Sequence, residues 1–260
     1  MSSRDDGLEG LRVVVTAGAG GIGLAIVSHL AACGARVFTC DVSEAALAQL
    51  ARTHPQVGAV RADVSREDEV AALFQAAQRH LGGLDALINN AGIAGPTGAV
   101  EELDPQEWRR CIDICLTGQF LCTRLAVPLL KAAGGGAIVN MSSSAGRHGY
   151  AFRTPYSSAK FGVIGLTQSL AKELGPAGIR VNAILPGIVE GPRMEGVIRA
   201  RAGQLGVPYE TMEATYLERI SLRRMVTPHD VALSTAFLLS ASGRNISGQS
   251  LSVDGNVETL

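Results

Sequence analysis

No C-x-x-C pair, no block of like charge and no uncharged apolar run long enough to span a bilayer occurs in this sequence. The five cysteines (Cys33, Cys40, Cys111, Cys115 and Cys122) are odd in number, which argues against a disulfide framework. Cys111 and Cys115 would share a helical face, but no histidine or acidic cluster stands at ligand spacing, so no metal is expected. Free thiols of this kind fit a reducing compartment. The first ten residues, M-S-S-R-D-D-G-L-E-G, hold no apolar signal core, and the expected location is the cytoplasm. A formal net charge of -1 leaves no electrostatic footprint for nucleic acid or an anionic membrane. Small molecules are the expected partners.

What is present is a globular composition. Hydrophobic residues make up 47% and charged residues 18% of a 260-residue chain, enough to bury a real core. Short β-branched runs at 12–16, 36–41, 57–61, 86–89, 137–141, 180–184 and 250–253 read as strands. Helical patterns fill the gaps at 22–33, 43–53, 67–81, 104–133, 154–175 and 228–241. Pro128 is expected to kink the fourth helix or to begin a separate turn. Repeated βα units imply right-handed crossovers and a mostly parallel, doubly wound sheet of about seven strands with helices on both faces. With no linker to divide it, residues 1–260 are expected to form one domain, 1–10 being an N-terminal tail. Residues 187–225 break the rhythm, are rich in arginine and are expected to form a lid inserted over the substrate side.

Chemistry gathers at two places. In S-S-S-A-G-R-H-G-Y-A-F-R-T-P-Y-S-S-A-K, Tyr156 and Lys160 would share one face of a helix starting near Thr154. A lysine ammonium beside a phenol stabilises the phenolate, which lets a tyrosine exchange a proton with an alcohol. Ser143, thirteen residues upstream of Tyr156, could hold and polarise the same oxygen. At the other end, the strand at 12–16 runs through A-G-A-G-G-I-G into a helix, with G-x-G-x-x-G spacing from Gly18 through Gly20 to Gly23. Glycines there allow a pyrophosphate to approach a helix N-terminus. Asp41 ends the next strand, 18 residues after Gly23, where an acid accepts hydrogen bonds from a ribose diol. Its carboxylate would repel a 2′-phosphate, and neither Gly20 nor Val42 could pair with one, so NAD is expected rather than NADP.

Together these ends resemble the short-chain dehydrogenase/reductase family, in its single-domain, NAD-preferring branch. T-A-G-A-G-G-I-G at 16–23 is similar to that family's glycine motif, and N-N-A-G at 89–92 to its motif after the fourth strand. Ser143, Tyr156 and Lys160 fall at the active-site spacing, P-G at 186–187 matches the nicotinamide-side turn, and G-Q-S-L-S-V-D-G resembles the final strand. The resemblance implies a Rossmann fold and an NAD-dependent oxidoreductase acting on a secondary alcohol or ketone such as a polyol, sugar or hydroxy acid. It implies that Tyr156 is the general acid/base, that Lys160 assists it and holds the nicotinamide ribose, and that Ser143 stabilises the substrate oxygen. Gly18, Gly21, Ile22 and Gly23 would hold the phosphates, and Asp41 and Val42 the adenosine ribose. Asp63 and Val64 would flank adenine, Asn90, Ala91 and Gly92 would line the cofactor, and Pro186, Gly187 and Val189 would border the nicotinamide.

Three positions depart from the family pattern. Ala17 stands where its first glycine usually lies; a methyl is tolerable at negative φ, so a slightly re-formed turn is expected. Gly191 replaces a threonine that commonly contacts the nicotinamide amide. Cys115 replaces the fourth active-site residue, an asparagine whose helix bend and backbone carbonyl help hold a water in the lysine's proton relay. A thiol is not expected to match an amide's hydrogen bonds, although the main-chain carbonyl survives, so the relay should persist with modest loss.

Arg147, Tyr150, Arg153 and Arg193 are the candidates for substrate contact; Arg147 or Arg153 could clamp a carboxylate or phosphate, or be solvated or paired with local acids. The resemblance also implies a homo-oligomer, a tetramer by preference, with Trp108, Phe120 and Leu121 as a candidate apolar face. Two other functions fit less well. A 3-oxoacyl thioester reductase would usually favour NADP, and a cofactor-binding regulatory protein would not need the Ser143, Tyr156 and Lys160 set.

Overall fold

The run Arg-Val-Val-Val-Thr alternates its side chains between two faces that are both covered, and so forms a strand buried on each side. In the computed structural model, which describes residues 7–257 apart from the side chains of Arg193, Ala200 and Gln204, this run is β1 (Arg12–Thr16). There follow α1 (Gly21–Ala32), β2 (Arg36–Asp41), α2 (Glu44–Thr53), β3 (Gly58–Arg61), α3 (Glu67–Leu81) and β4 (Ala86–Asn89). The second half carries α4 (Pro105–Ile112), α5 (Gly118–Ala132), β5 (Gly136–Met141), α6 (Thr154–Leu174) and β6 (Ile179–Pro186). It ends with α7 (Pro192–Leu205), α8 (Tyr209–Glu218), α9 (Pro228–Leu239) and β7 (Ser250–Val253). Strand bounds expected from sequence hold to within two residues.

All seven strands are parallel, in the order β3-β2-β1-β4-β5-β6-β7. The chain leaves β1 toward β2 and β3, then returns to place β4 on the other flank of β1. That reversal opens a crevice at the strands' C-terminal ends, where such sheets bind ligands. Val13 and Val15 face α1 and α9, packing with Ile26, Leu30, Val231 and Leu238. Val14 faces the opposite layer, with Leu73, Phe74, Leu121 and Leu130 from α3 and α5. Polar side chains fix where helices begin. Ser43 Oγ accepts from Ala46 N–H to cap α2, and Thr227 and Asp230 form a reciprocal capping box on α9.

Two expectations are corrected here. The helix expected over 104–133 is not continuous: Asp113–Thr117 forms a π-turn in which Gly118 N–H donates to Asp113 O, five residues back. Past it α5 runs on through Pro128, so the interruption lies at Cys115 and not at the proline. Leu121 is also buried in the core, while Phe120 beside it is half exposed, so the two do not share an outward face. By length and composition the stretch Pro105–Ala132 could cross a membrane, but the π-turn breaks it and Leu121, Cys122, Ala126 and Leu130 bury one side of α5 against the sheet.

Residues 187–225 contain α7 and α8 and a satellite core of Ile198, Ala202 and Met212. Two isolated bridges, Val189 with Val226 and Ile220 with Val257, tie this segment to the sheet side.

Candidate active site

The glycine turn between β1 and α1 lies at the crevice. Gly18 N–H donates to Cys40 O, and a β-carbon at Gly18 would meet Thr39 Oγ1 and Val27 Cγ2. One at Gly23 would meet the Ala17 carbonyl and, at 2.6 Å, Asn90 Nδ2. At Gly20 and Gly21 it would meet nothing, so there the bare backbone faces open space. No side chain caps α1, and no acid stands in its first turn. Uncapped amides at a helix start suit an anion, and the residues present fit the pyrophosphate of a dinucleotide.

Ala17 does not adopt the expected negative φ. It sits at +52°, in the left-handed region, so its methyl is strained where the family's glycine would be at ease. The conformation persists because the turn is held from outside: Asn90 Nδ2 donates to the carbonyls of both Thr16 and Ala17, at 3.0 Å each. Relief of that strain, offset in part by the freer unfolded chain of glycine, predicts that Ala17→Gly stabilises the fold by about 0.5–1 kcal/mol. Urea unfolding of the two proteins checks this.

Asp41 ends β2 with each carboxylate oxygen on one backbone amide: Oδ2 accepts from Ala19 N–H at 3.2 Å and Oδ1 from Ser43 N–H at 3.1 Å. The residue is thus fixed at the edge of the turn, next to exposed Val42. Asp63 Oδ1 accepts from the amide and hydroxyl of Ser65, while Val64 is buried against Gly118. Thr16, absent from the sequence candidates, organises the far side: its Oγ1 accepts from the amides of Asn90 and Ala91. Its only sequence signal was a hydroxyl at the last position of the first strand. Asn90 therefore braces the glycine turn with its side chain, and Gly92 lies over Lys160 and Cys115, its hypothetical β-carbon 3.5 Å from Lys160 Nζ and 3.6 Å from Cys115 Sγ. Pro186 ends β6, and Gly187 packs so closely on Asp254 that a β-carbon there would lie 2.6 Å from Asp254 Cβ.

Pro155 in the first turn starts α6, which carries Tyr156 and Lys160 on one face, the ammonium 5.7 Å from the phenol ring centroid. Lys160 is buried; its Nζ donates to Met141 O at 2.8 Å, and its own carbonyl accepts from Ser142 Oγ. Ser143 follows β5 and caps a short 3-10 turn by accepting from Ala145 N–H, which leaves its hydroxyl proton for a ligand oxygen.

The Cys115 thiol accepts from Ile93 N–H at 3.3 Å and donates to Ile93 O at 3.4 Å, a clamp of weak sulfur hydrogen bonds. Burial and a hydrogen bond with Cys115 push the neighbouring Cys111 thiol up, the hydrogen bond being the larger cause. Because the clamp is intact, Cys115→Asn is expected to change turnover by less than about a hundredfold, ~2.7 kcal/mol of barrier. Steady-state kinetics of the two proteins measures it.

Of the residues expected at the substrate, Arg147 is exposed, and the Tyr150 hydroxyl pairs with Ser144 Oγ at 2.8 Å. Burial, the largest effect, pushes the Tyr150 phenol up. Arg153 lies 4.9 Å from the Tyr156 ring centroid and donates to Ala94 O at 2.9 Å. Its Nε is buried without a partner, and among the described residues no carboxylate pairs with it. Arg193 lies in α7, its side chain outside the described residues. Gly191, which opens α7, has a φ of +135°, a conformation that explains glycine where the family often has threonine.

Residues 16–257 match the family model described as Enoyl-(Acyl carrier protein) reductase. The chain is 43% identical over 246 residues to cis-4-hydroxycyclohexanecarboxylate dehydrogenase of Sinomonas cyclohexanicum, covering 93% of this chain and 94% of that one. It is 36% identical over 254 residues to D-beta-hydroxybutyrate dehydrogenase of Cupriavidus necator, covering 95% and 98%. The crystal structure of levodione reductase superposes with a TM-score of 0.88 at 31% identity, covering 95% and 97%. With the sheet, the motifs and these relatives agreeing, the chain belongs to the short-chain dehydrogenase/reductase family and is an oxidoreductase acting on hydroxyl groups.

Proposed function

We propose that this enzyme transfers a hydride between NAD(H) and the secondary alcohol of a hydroxy acid, with Tyr156 as general acid/base. The observation that carries the substrate class is Arg153: a half-buried guanidinium without a counter-ion among the described residues, beside the ring of the proposed base. A charge so placed favours an anionic partner, and a carboxylate matches its fork. Two of the relatives are named for substrates that carry both a hydroxyl and a carboxylate. Lys160 stands beside the phenol, Ser143 donates to the substrate oxygen, and Tyr156 takes the hydroxyl proton during oxidation. NAD, when bound, accepts the hydride at its nicotinamide ring.

NAD is favoured over NADP because Asp41 presents a carboxylate where a 2′-phosphate would sit, with no cation at Gly20 or Val42. The same carboxylate weighs against a thioester reductase. An intact Ser143, Tyr156 and Lys160 set weighs against a regulatory protein without catalysis. The segment 187–225 is the lid, and its own small core of Ile198, Ala202 and Met212 supports that reading. Half-exposed Phe120, Phe161, Leu233 and Phe237 on α5, α6 and α9 support a homo-oligomer, a tetramer by preference, and the reduced buried thiols support a cytoplasmic location.

The test pairs thermal shift with NAD, NADH, NADP and NADPH with turnover on hydroxy acids and their neutral esters. A shift with NAD and NADH alone, and turnover of the acids over the esters, is expected. Arg153→Met should then raise KM for the acid by about 10–100-fold and leave the ester unchanged. Equal use of acid and ester by the unaltered enzyme would remove the anionic substrate class.

A further inference from the structure

Helix α5 buries a glutamine that no part of the family resemblance accounts for. Gln119 is 2% exposed and lies four residues past Cys115, just beyond the end of the π-turn. Its Nε2 donates to Cys115 O at 3.2 Å and to Met141 O at 3.1 Å. Both neighbours are carbonyls, which only accept, so the atom facing them is the amide nitrogen and both of its protons are used. Met141 O is also the acceptor of Lys160 Nζ, at 2.8 Å. One side chain therefore ties together the end of β5, the π-turn and the carbonyl that anchors the catalytic lysine.

The link is held from the nitrogen side alone, since Gln119 Oε1 and the neighbouring Asn89 Oδ1 are buried without a partner. Gln119 O lies 3.4 Å from Asn89 Nδ2, which also donates to Thr123 Oγ1 and Asn140 Oδ1, and Asn140 Nδ2 donates to Thr167 Oγ1. Asn89, Gln119, Thr123, Asn140, Thr167 and Lys160 are all buried, so this polar layer between β4, β5 and the two helices has little access to solvent. In such an interior a carbonyl that loses its donor stays unpaired, and its neighbours shift to compensate.

We propose that Gln119 is a positioning residue for the proton transfer: by holding the Met141 and Cys115 carbonyls in fixed relation, it sets where the Lys160 ammonium stands relative to Tyr156. This rests on the reading of Tyr156 as the acid/base. When Gln119 is replaced by an apolar side chain of similar length, Met141 O keeps only the lysine and Cys115 O loses its side-chain donor. The ammonium is then free to follow the relaxed carbonyl away from the phenol. Arg153, 4.9 Å from the ring on the same helix start, and Tyr150 also face the phenol and do not touch Gln119. Only the lysine's share of the stabilisation is therefore lost, and the ascending acid limb of the oxidation rate moves to higher pH.

Gln119→Leu and Gln119→Met, compared with the unaltered enzyme in the alcohol-oxidising direction, test this. The expected result is an acid limb displaced upward by about half a pH unit or more, a kcat lower by about threefold or more below the plateau, and a KM for the alcohol within about threefold. Two variants guard against misfolding of either, and melting temperatures are recorded for both. A lowered melting temperature with an unmoved acid limb and unchanged kcat would show a purely structural glutamine and overturn the proposal, as would unchanged kinetics in folded protein. If the unaltered enzyme bound no nucleotide or oxidised no alcohol, the acid/base reading itself would fail, an outcome visible before any variant is made.

Discussion

Tyr156→Phe is expected to reduce turnover by about a thousandfold or more while the protein folds and binds nucleotide as before. The substitution removes one oxygen. Among the described residues the Tyr156 hydroxyl makes no hydrogen bond, so its loss strands no donor and opens no gap in the core. The ring contributes to packing with Cys111, Cys115 and Ala159, and phenylalanine preserves that contact. Stability should therefore change by no more than about 0.5 kcal/mol. What disappears is, among the described residues, the one phenol ring in contact with the Lys160 ammonium. The measurement is kcat together with melting temperature and NAD affinity. A variant within tenfold of the unaltered enzyme would mean that another group moves the proton. The neighbouring phenol, Tyr150, is tied to Ser144 and pushed up by burial, so its phenolate is harder to form.

The features legible in the sequence are those that local spacing encodes. Tyr156 and Lys160 lie one turn apart on α6 because a helix places residues four apart on one face. The glycine turn and Asp41 could be found because both stand at the C-terminal ends of strands whose β-branched runs are unmistakable. The π-turn was hidden, since one extra residue in a helical turn does not disturb an apolar pattern that continues on both sides of it. Gln119 was hidden for the opposite reason. A glutamine in an amphipathic helix reads as solvent-facing, yet the π-turn rotates α5 so that this one points at two carbonyls. Ala17 shows a third limit. Its left-handed backbone is imposed by Asn90, more than seventy residues away, and alanine carries no mark of that in its own neighbourhood.

The cofactor site offers the second large effect, through Gly23→Ala. A single methyl there points at the Ala17 carbonyl, which is backbone, and at Asn90 Nδ2, which already donates to that carbonyl and to Thr16 O. Neither neighbour is the free end of a flexible side chain, so relief requires α1 to move away from the turn or Asn90 to give up its two hydrogen bonds. Overpacking of this kind costs about 1–3 kcal/mol, and Ala17 is already strained at φ +52°. Displacing α1 takes its uncapped first-turn amides off the line on which a pyrophosphate would meet them. NAD affinity should fall by about a hundredfold or more, the equivalent of ~2.7 kcal/mol. Isothermal titration with NAD reads the affinity, and urea unfolding reads the stability. A loss of stability with unchanged affinity would place the nucleotide away from this turn. A loss of affinity of that size beside the loss of stability is expected instead, because α1 packs on Val13 and Val15 through Ile26 and Leu30 while its first turn faces the open space at Gly20 and Gly21.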